Sequence, residues 1–188
     1  SLLSFKAILI VSLPLLFAQT GQFIMAWTDK LMLGGFMSSL EVGVYDIAFK
    51  LSMIANIALT AITSVTAPKF AELFALRDFK RLEKVVNQST KIVFWSSLPV
   101  LILLLLFSNM ILGFFGEEFQ LGKQAFYLLS LSTMISAFSG PAGNILQMTG
   151  RQVIFMNVLF VGAIINIILN YLLIPIYGIE GAAFASMT

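Results

Sequence analysis

Long apolar runs, separated by short polar segments, make up most of this chain. A membrane-spanning helix needs about 20 mostly apolar residues. Five segments meet that length: Lys6–Phe36, Glu41–Leu76, Ile92–Gly116, Gln124–Gly150 and Gln152–Ile179. Glycines and prolines mark the turns between them, and a sixth apolar segment begins near Glu180 after the turn Pro175–Gly178. The pattern predicts an all-α integral membrane protein, in which residues 1–188 form one bundle of five transmembrane helices plus the start of a sixth.

Composition supports the membrane prediction and excludes several kinds of chemistry. Of the 188 residues, 59% are hydrophobic and 11% charged, whereas a soluble domain carries about a quarter charged residues. The chain has no cysteine and no histidine, so disulfides, thiolate metal sites and histidine general bases are excluded. With no catalytic constellation and a net charge of +2, we expect no enzyme activity, cofactor, metal or nucleic-acid partner. Because the chain has no initiator Met and stops inside an apolar stretch, we also expect a fragment.

The basic residues predict an orientation in the membrane. Six of the eleven lie between Lys69 and Lys91, and loops rich in lysine and arginine face the cytoplasm. Within this connector, Phe79, Leu82 and Val86 share one side of a helix whose other side is charged, which is typical of a helix lying in the membrane interface. A solvated connector and a site for lipid headgroups are both compatible with this pattern.

A charged hairpin interrupts the apolar sequence between residues 27 and 50. A helix that starts near Glu41 places Lys50 about 13 Å below the turn, and Asp29 and Asp46 lie at similar depth. Such charges cost about 2.5–3.5 kcal/mol each in a bilayer unless they face a partner or a cavity. Asp46 and Lys50 are spaced for an intrahelical ion pair, whereas Asp29 needs Lys50 or a solvated cavity. We expect the three to share a polar pocket.

Small and polar residues follow one face of the second predicted helix at a spacing of three or four. They are Glu41, Tyr45, Ala48, Ser52, Asn56, Thr60 and Ser64. Such a face contacts either another helix or a hydrophilic cavity, and both interpretations stay open. Asn166 and Asn170 on the fifth helix pose the same alternative. Arg151 opens that helix at the cytoplasmic surface, where its charge suits a phosphate or the orientation rule.

Three phrases carry a family resemblance: residues 29–50, residues 148–151 (MTGR) and residues 166–185 (NIILNYLLIPIYGIEGAAFA). They resemble the polysaccharide flippases of the multidrug/oligosaccharidyl-lipid/polysaccharide exporter superfamily. The resemblance implies one lobe, the C-terminal one, of a two-lobe transporter with twelve to fourteen helices around a central cavity. The N-terminal lobe of the same polypeptide would complete it. Basic cavity residues in the family contact pyrophosphate or sugars, a role that the resemblance suggests for Lys30, Lys50 and Arg151.

The resemblance implies a flippase that moves polyprenyl-linked oligosaccharides across the cell membrane by alternating access, for cell-surface polysaccharide biosynthesis. Its partners would be that substrate and membrane lipids. Three alternatives remain. The first is a drug or metabolite antiporter that uses Asp29 as a proton or sodium site. The second is a membrane enzyme, for which the loops are short, and the third is a non-transporting scaffold. The residues predicted to contact substrate or line the cavity are Asp29, Lys50, Asp46, Asn56, Ser52, Thr60, Asn166, Asn170 and Arg151.

Overall fold

A computed structural model describes the backbone of residues 5–187 and the side chains of residues 9 and 12–187. Within that part of the chain the fold is helical, without strands. The helices are α1 (Phe5–Phe36), α2 (Ser39–Met53), α3 (Asn56–Ala75), α4 (Phe79–Leu106), α5 (Ser108–Gly113), α6 (Lys123–Ser139), α7 (Ala142–Met148) and α8 (Gln152–Ala185), with a 3-10 turn at Glu117–Gly122 before α6. The predicted fold class is confirmed.

Among the described residues, fewer helices than the five predicted qualify as spans on length and apolarity. By length and apolarity, α3, α4 and α8 are each able to cross a membrane. The 3-10 turn and α6 together form the segment Glu117–Ser139. This segment and α7 meet at a bend of 46°, and the two make a fourth span if they are counted as one. These counts of three or four apply to the described residues. The first predicted span corresponds to α1, which is 32 residues long and begins in the region where side chains are not described.

The second predicted span is two helices and not one. Around Ile54 backbone hydrogen bonds connect residues three apart instead of four. The Ile54 N–H donates to the Leu51 carbonyl and the Ile57 N–H donates to the Ile54 carbonyl, both at 3.2 Å. Side chains from other helices reach carbonyls at this break. Ser97 Oγ of α4 donates to the Ala55 carbonyl at 3.0 Å. Membrane helices tolerate such interruptions because neighbouring hydroxyls bond the freed backbone groups.

The last helix, α8, contains a sharp reversal at Gly178. This glycine has φ 58° and ψ −130°, a conformation that L side chains avoid. A Cβ on Gly181 would lie 2.5 Å from the Leu173 carbonyl oxygen, so residues 179–185 return alongside the first arm of α8. The turn predicted at Pro175–Gly178 and the new helix predicted near Glu180 match this reversal.

The predicted basic connector is divided between two helices. α3 ends at Ala75, and Arg77 adopts a left-handed conformation with φ 56°. Asp78 then begins α4, since its Oδ1 accepts the Arg81 N–H at 3.1 Å. Residues 79–91 are the first turns of one continuous helix that runs to Leu106. Whether these turns lie in the membrane interface, and on which side, stays a prediction.

Close packing of small residues brings α1, α2, α6 and α8 together. The largest buried side chains in their shared core are Leu33, Tyr45, Phe126 and Ile174. Gly122 contacts α2 so closely that a Cβ there would lie 2.6 Å from Val44 Cγ1. Small residues allow this approach, and dispersion contacts between closely packed backbones stabilise helix pairs in lipid. This core fixes α1 against both arms of α8, where the candidate site lies.

Candidate functional site

A buried carboxylate lies at the centre of the α1–α8 contact. Asp29 is 4% exposed and accepts hydrogen bonds at both oxygens. Tyr45 Oη of α2 donates to Oδ2 at 2.9 Å, and Asn170 Nδ2 of α8 donates to Oδ1 at 2.6 Å. Asn166 Nδ2 donates to the same oxygen at 3.2 Å, and the Ser186 hydroxyl also donates to Oδ2. We call these five residues the Asp29 cluster.

The helical turn in α8 assembles this cluster. Asn166 and Asn170 are one turn apart on the first arm, and the reversal at Gly178 returns Ser186 to the same level. Asn166 Nδ2 bridges the arms because it also bonds the Ala185 carbonyl at 3.2 Å. The Asn170 Nδ2 contacts Asn166 Oδ1 at 3.2 Å. The two arms of α8 and Tyr45 of α2 therefore hold the α1 carboxylate in place.

The electrostatics of the Asp29 cluster are unusual for a buried acid. Among the described side chains (residue 9 and residues 12–187), no lysine or arginine lies within salt-bridge distance of Asp29. Its four donors are neutral amides and hydroxyls. The buried Asn170 Oδ1 accepts no hydrogen bond within the described chain. The cluster thus combines one carboxylate with an unsatisfied amide oxygen, and oxygen groups of both kinds are ligands of hard cations.

A second carboxylate, Asp46 on α2, has the opposite environment. Lys30 Nζ contacts its Oδ1, and Lys50 Nζ lies 2.6 Å from its Oδ2. Lys30 is 22% exposed, while Lys50 is 66% exposed. Lys30 Nζ also lies 5.5 Å from the ring centroid of Trp27 and 5.3 Å from that of Phe49, positions typical of cation–π contacts. We call Lys30, Asp46 and Lys50 the lysine cluster; its net charge is +1.

The expectation that Asp29, Asp46 and Lys50 share one pocket is wrong. Asp29 and Lys30 are neighbours in sequence, but successive helical residues point about 100° apart. Asp29 therefore faces α8, whereas Lys30 faces α2 and shares with Lys50 the ion pair to Asp46 that the sequence assigned to Lys50 alone. The ion pair of Asp46 with Lys50 is present as expected.

Asn166 and Asn170 do reach a charged group, which the sequence did not pair with them. Tyr45 and Ser186 were not among the predicted site residues. Tyr45 stood in the polar face of the second helix, so a signal existed. Ser186 lies beyond the fifth predicted span, and only the reversal at Gly178 brings it to Asp29.

A polar cavity of about 490 Å³ opens between α1, α3, α6 and α7. Gln22, Ser132, Ser136, Asn144, Gln147 and Ser186 are among its lining residues. Ser186 therefore borders this cavity and also bonds Asp29. Ser132 Oγ holds the Ser186 carbonyl at 3.3 Å. Ser132 and Ser136, one turn apart on α6, thus both face this cavity.

The remaining predicted residues separate into exposed and buried groups. Asn56, Thr60 and Ser64 line an open groove of about 530 Å³ along α3, which fits the cavity-wall interpretation of this face. Ser52 is buried instead and donates to the Phe49 carbonyl at 2.8 Å. Arg151 is exposed at the start of α8. Its side chain contacts neither cluster in the described structure. Of the predicted residues, Asn56 and Thr60 thus line a groove, whereas the residues that line the polar cavity were not predicted.

A helical bundle with a buried acid and a polar cavity is a common transporter arrangement, and sequence comparison names the family. The MatE family profile matches residues 14–172. The chain belongs to the MatE family. No solved structure matches it significantly.

Two archaeal relatives and one bacterial relative are similar over most of the chain. "Probable low-salt glycan biosynthesis flippase Agl15" of Haloferax volcanii is 25% identical over 88% of this chain and 35% of its own length. "Probable flippase AglR" of the same organism is 28% identical over 86% and 35%. "Putative O-antigen transporter" of Shigella flexneri is 24% identical over 86% and 38%. The chain thus spans little more than a third of these relatives, which are named as transporters and not as enzymes.

Proposed function

We propose that the full-length protein is a flippase for polyprenyl-(pyro)phosphate-linked oligosaccharides in cell-surface polysaccharide biosynthesis. It would work by alternating access across the cytoplasmic membrane. The observation that carries the proposal is the polar cavity between α1, α3, α6 and α7, in a chain that is 59% hydrophobic. Hydroxyl and amide groups facing such a cavity suit a hydroxyl-rich cargo, because they replace its bonds to water. The relatives named as glycan flippases support the same function.

The lysine cluster supplies a contact for the phosphate of the carrier. Asp46 neutralises one of its two cations, so one positive charge remains for an anion. Lys50 is the more exposed partner, at 66%, and leaving Asp46 costs it little because exposed ion pairs are weak. In this proposal Lys30 stays on Asp46, while Lys50 turns to the phosphate.

The Asp29 cluster is the proposed site of energy coupling. A proton or Na⁺ would neutralise the buried carboxylate, and the surrounding oxygens of Asn166, Asn170, Ser186 and the backbone suit a hard cation. Within residues 5–187 there is no group of three His, Cys, Asp or Glu side chains for a metal. A single carboxylate favours a monovalent cation over a divalent one. Cation binding would favour one transport state only through its different affinity for the two states.

The other half of the pathway is proposed to come from a second helical bundle of the same polypeptide. The curated relatives are about three times as long as the matched region. A cavity open on one side of this bundle then becomes the interface between two lobes. Rocking of one lobe against the other would expose it to each side of the membrane in turn.

The test is mass spectrometry of polyprenyl-linked glycans in cells depleted of the full-length protein. The flippase proposal expects lipid-linked repeat units to accumulate on the cytoplasmic side, and wild-type protein to clear them. Separating the leaflets with a glycosidase that does not cross membranes shows on which side they accumulate. An unchanged pool in depleted cells would contradict the proposal.

The Asp29 cluster also keeps a second candidate open, a cation-coupled drug or metabolite antiporter. The observation that favours this activity is that the described side chains place no cation beside the buried Asp29 carboxylate. Cells depleted of the protein would then show increased sensitivity to toxic cations with an unchanged glycan pool. The same cells and the same depletion distinguish the two functions.

A further inference from the structure

The polar side chains that line the cavity between α1, α3, α6 and α7 are all neutral. Its hydrogen-bonding groups are hydroxyls and carboxamides, and none of its fourteen lining residues in the described chain is charged. Polar cavities in membrane proteins usually hold ionisable residues when their cargo is charged. The absence of charged residues from the described lining therefore bears on whether the part of the cargo held here is charged.

Three amides from two helices face this cavity with free hydrogen-bonding capacity. Gln22 lies on α1, and Asn144 and Gln147 lie one turn apart on α7. Within residues 5–187, none of these three side chains makes a hydrogen bond or ion pair. Each amide offers two donor hydrogens and an acceptor oxygen. Amides complement the hydroxyl and acetamido groups of a sugar, which also donate and accept hydrogen bonds.

A negative charge lies close behind this cavity. Ser186 lines the cavity and donates to Asp29, so the buried carboxylate lies directly behind the cavity wall. A sugar carboxylate placed here would find no cation in the lining and an anion one residue away. Burying an unpaired charge is costly, and like charges at close range add to that cost.

We propose that this cavity holds an uncharged sugar of the cargo, with Gln22, Asn144 and Gln147 as the residues that determine this specificity. The inference rests on the proposed flippase function and adds the substrate class. Gln22 and Lys30 are eight residues apart on α1, about 12 Å along the helix. A cargo whose phosphate lies at the lysine cluster therefore reaches Gln22 with a sugar unit beyond the phosphate.

Two lipid-linked probes with matched carriers test the proposal on full-length protein in vesicles. Both carry a polyprenyl diphosphate and a disaccharide, and they differ in the second sugar, which is a neutral hexose in one and a hexuronic acid in the other. Flipping is followed by the accessibility of the disaccharide to a glycosidase outside the vesicle. We expect the neutral probe to flip about tenfold faster or more, as is typical for sites built around hydrogen bonds.

A charge introduced into the cavity gives the second arm. Gln147→Lys and Gln22→Lys lie on different helices. In each variant the lysine should pair with the uronate, so the ratio of the neutral-probe flipping rate to the acidic-probe flipping rate should fall by about tenfold. Gln88→Lys makes the same chemical change on the exposed surface of α4 and should leave the ratio unchanged. Thermal unfolding of each purified variant confirms that the comparison is made on folded protein.

The outcomes separate this inference from the function on which it rests. Equal rates for the two probes in wild type would overturn it, as would a ratio that neither cavity lysine alters. Wild-type protein that flips neither probe would refute the flippase proposal itself, and the specificity with it. Flipping of both probes with equal rates would leave the flippase intact and remove only the neutral-sugar assignment.

Discussion

Two carboxylates at similar depth in this bundle have opposite environments. Asp29 is buried among neutral donors and has no cation beside it within the described chain, whereas Asp46 is half-buried between two lysines. A paired carboxylate has little to gain from an external cation, because its charge is already neutralised. The unpaired carboxylate is therefore the one that we propose for cation coupling. Burial and partner chemistry distinguish the two carboxylates, even where sequence position does not.

The strongest test of the Asp29 cluster is to disturb the reversal that builds it. Gly181→Ala places a Cβ against the Leu173 carbonyl, so we expect a loss of about 1–3 kcal/mol of stability and of cation-dependent transport. Gly34→Ala on α1 meets nothing within 4 Å and serves as the control. Thermal unfolding of full-length protein measures the first effect. Wild-type stability in Gly181→Ala would show that the two arms of α8 are not packed as described.

The carboxylates themselves provide the next comparison. Asp29→Asn keeps the shape of the side chain but removes the charge, so cation stimulation of transport should fall about tenfold or more, within the usual range of coupling energies. Asp46→Asn should retain cation stimulation. Clearance of lipid-linked glycans at two sodium concentrations and two pH values measures both. Equal losses in the two variants would remove the distinction between the clusters.

A smaller effect is expected at the amide oxygen without a partner. Asn170→Leu removes one donor to Asp29 and also the unsatisfied Oδ1. We expect cation affinity to fall several-fold, about 1 kcal/mol, and stability without cation to fall by about 1–3 kcal/mol, because a buried donor to a charged group is lost. Asn56→Leu in the α3 groove is the matched control. Isothermal titration with Na⁺ measures affinity, and a stability loss with unchanged affinity would assign Asn170 a packing role alone.

The smallest expected effect is the difference in stability between variants of the two lysines. Lys30→Met removes an ion pair and contacts with Trp27 and Phe49, for which we expect about 1 kcal/mol of destabilisation. Lys50→Met removes a mostly exposed partner and should change stability by less than about 0.5 kcal/mol. Thermal unfolding of both variants measures the difference. A larger loss in Lys50→Met would reverse the roles assigned within the lysine cluster.

Much of the fold was predictable because the bilayer limits the choices. Long apolar runs predicted helices, and the glycine and proline residues near Tyr177 located the reversal in α8. The break at Ile54 was not predictable, because both flanking residues favour helix. The carbonyls there are bonded by Ser97 and Thr133, which lie more than 40 residues further along the chain.

The candidate site was predicted in its parts and not in its pairing. Asp29, Asn166 and Asn170 were each recognised as polar residues out of place in an apolar helix. Which of them meet depends on the angle between neighbouring residues on α1 and on the reversal that returns Ser186. Helical spacing gives the face of one helix, but the rotation of that face toward α2 or α8 is decided by packing.

The most direct test of the account is transport by the full-length protein in vesicles, with and without an imposed cation gradient. The measured quantity is the flipping rate of a polyprenyl diphosphate carrying a neutral disaccharide, in wild type, Asp29→Asn and Asp46→Asn. We expect a sodium or proton gradient to accelerate flipping by wild type and by Asp46→Asn. The flipping rate of Asp29→Asn should be the same with and without the gradient. Gradient-driven flipping that persists in Asp29→Asn would contradict it.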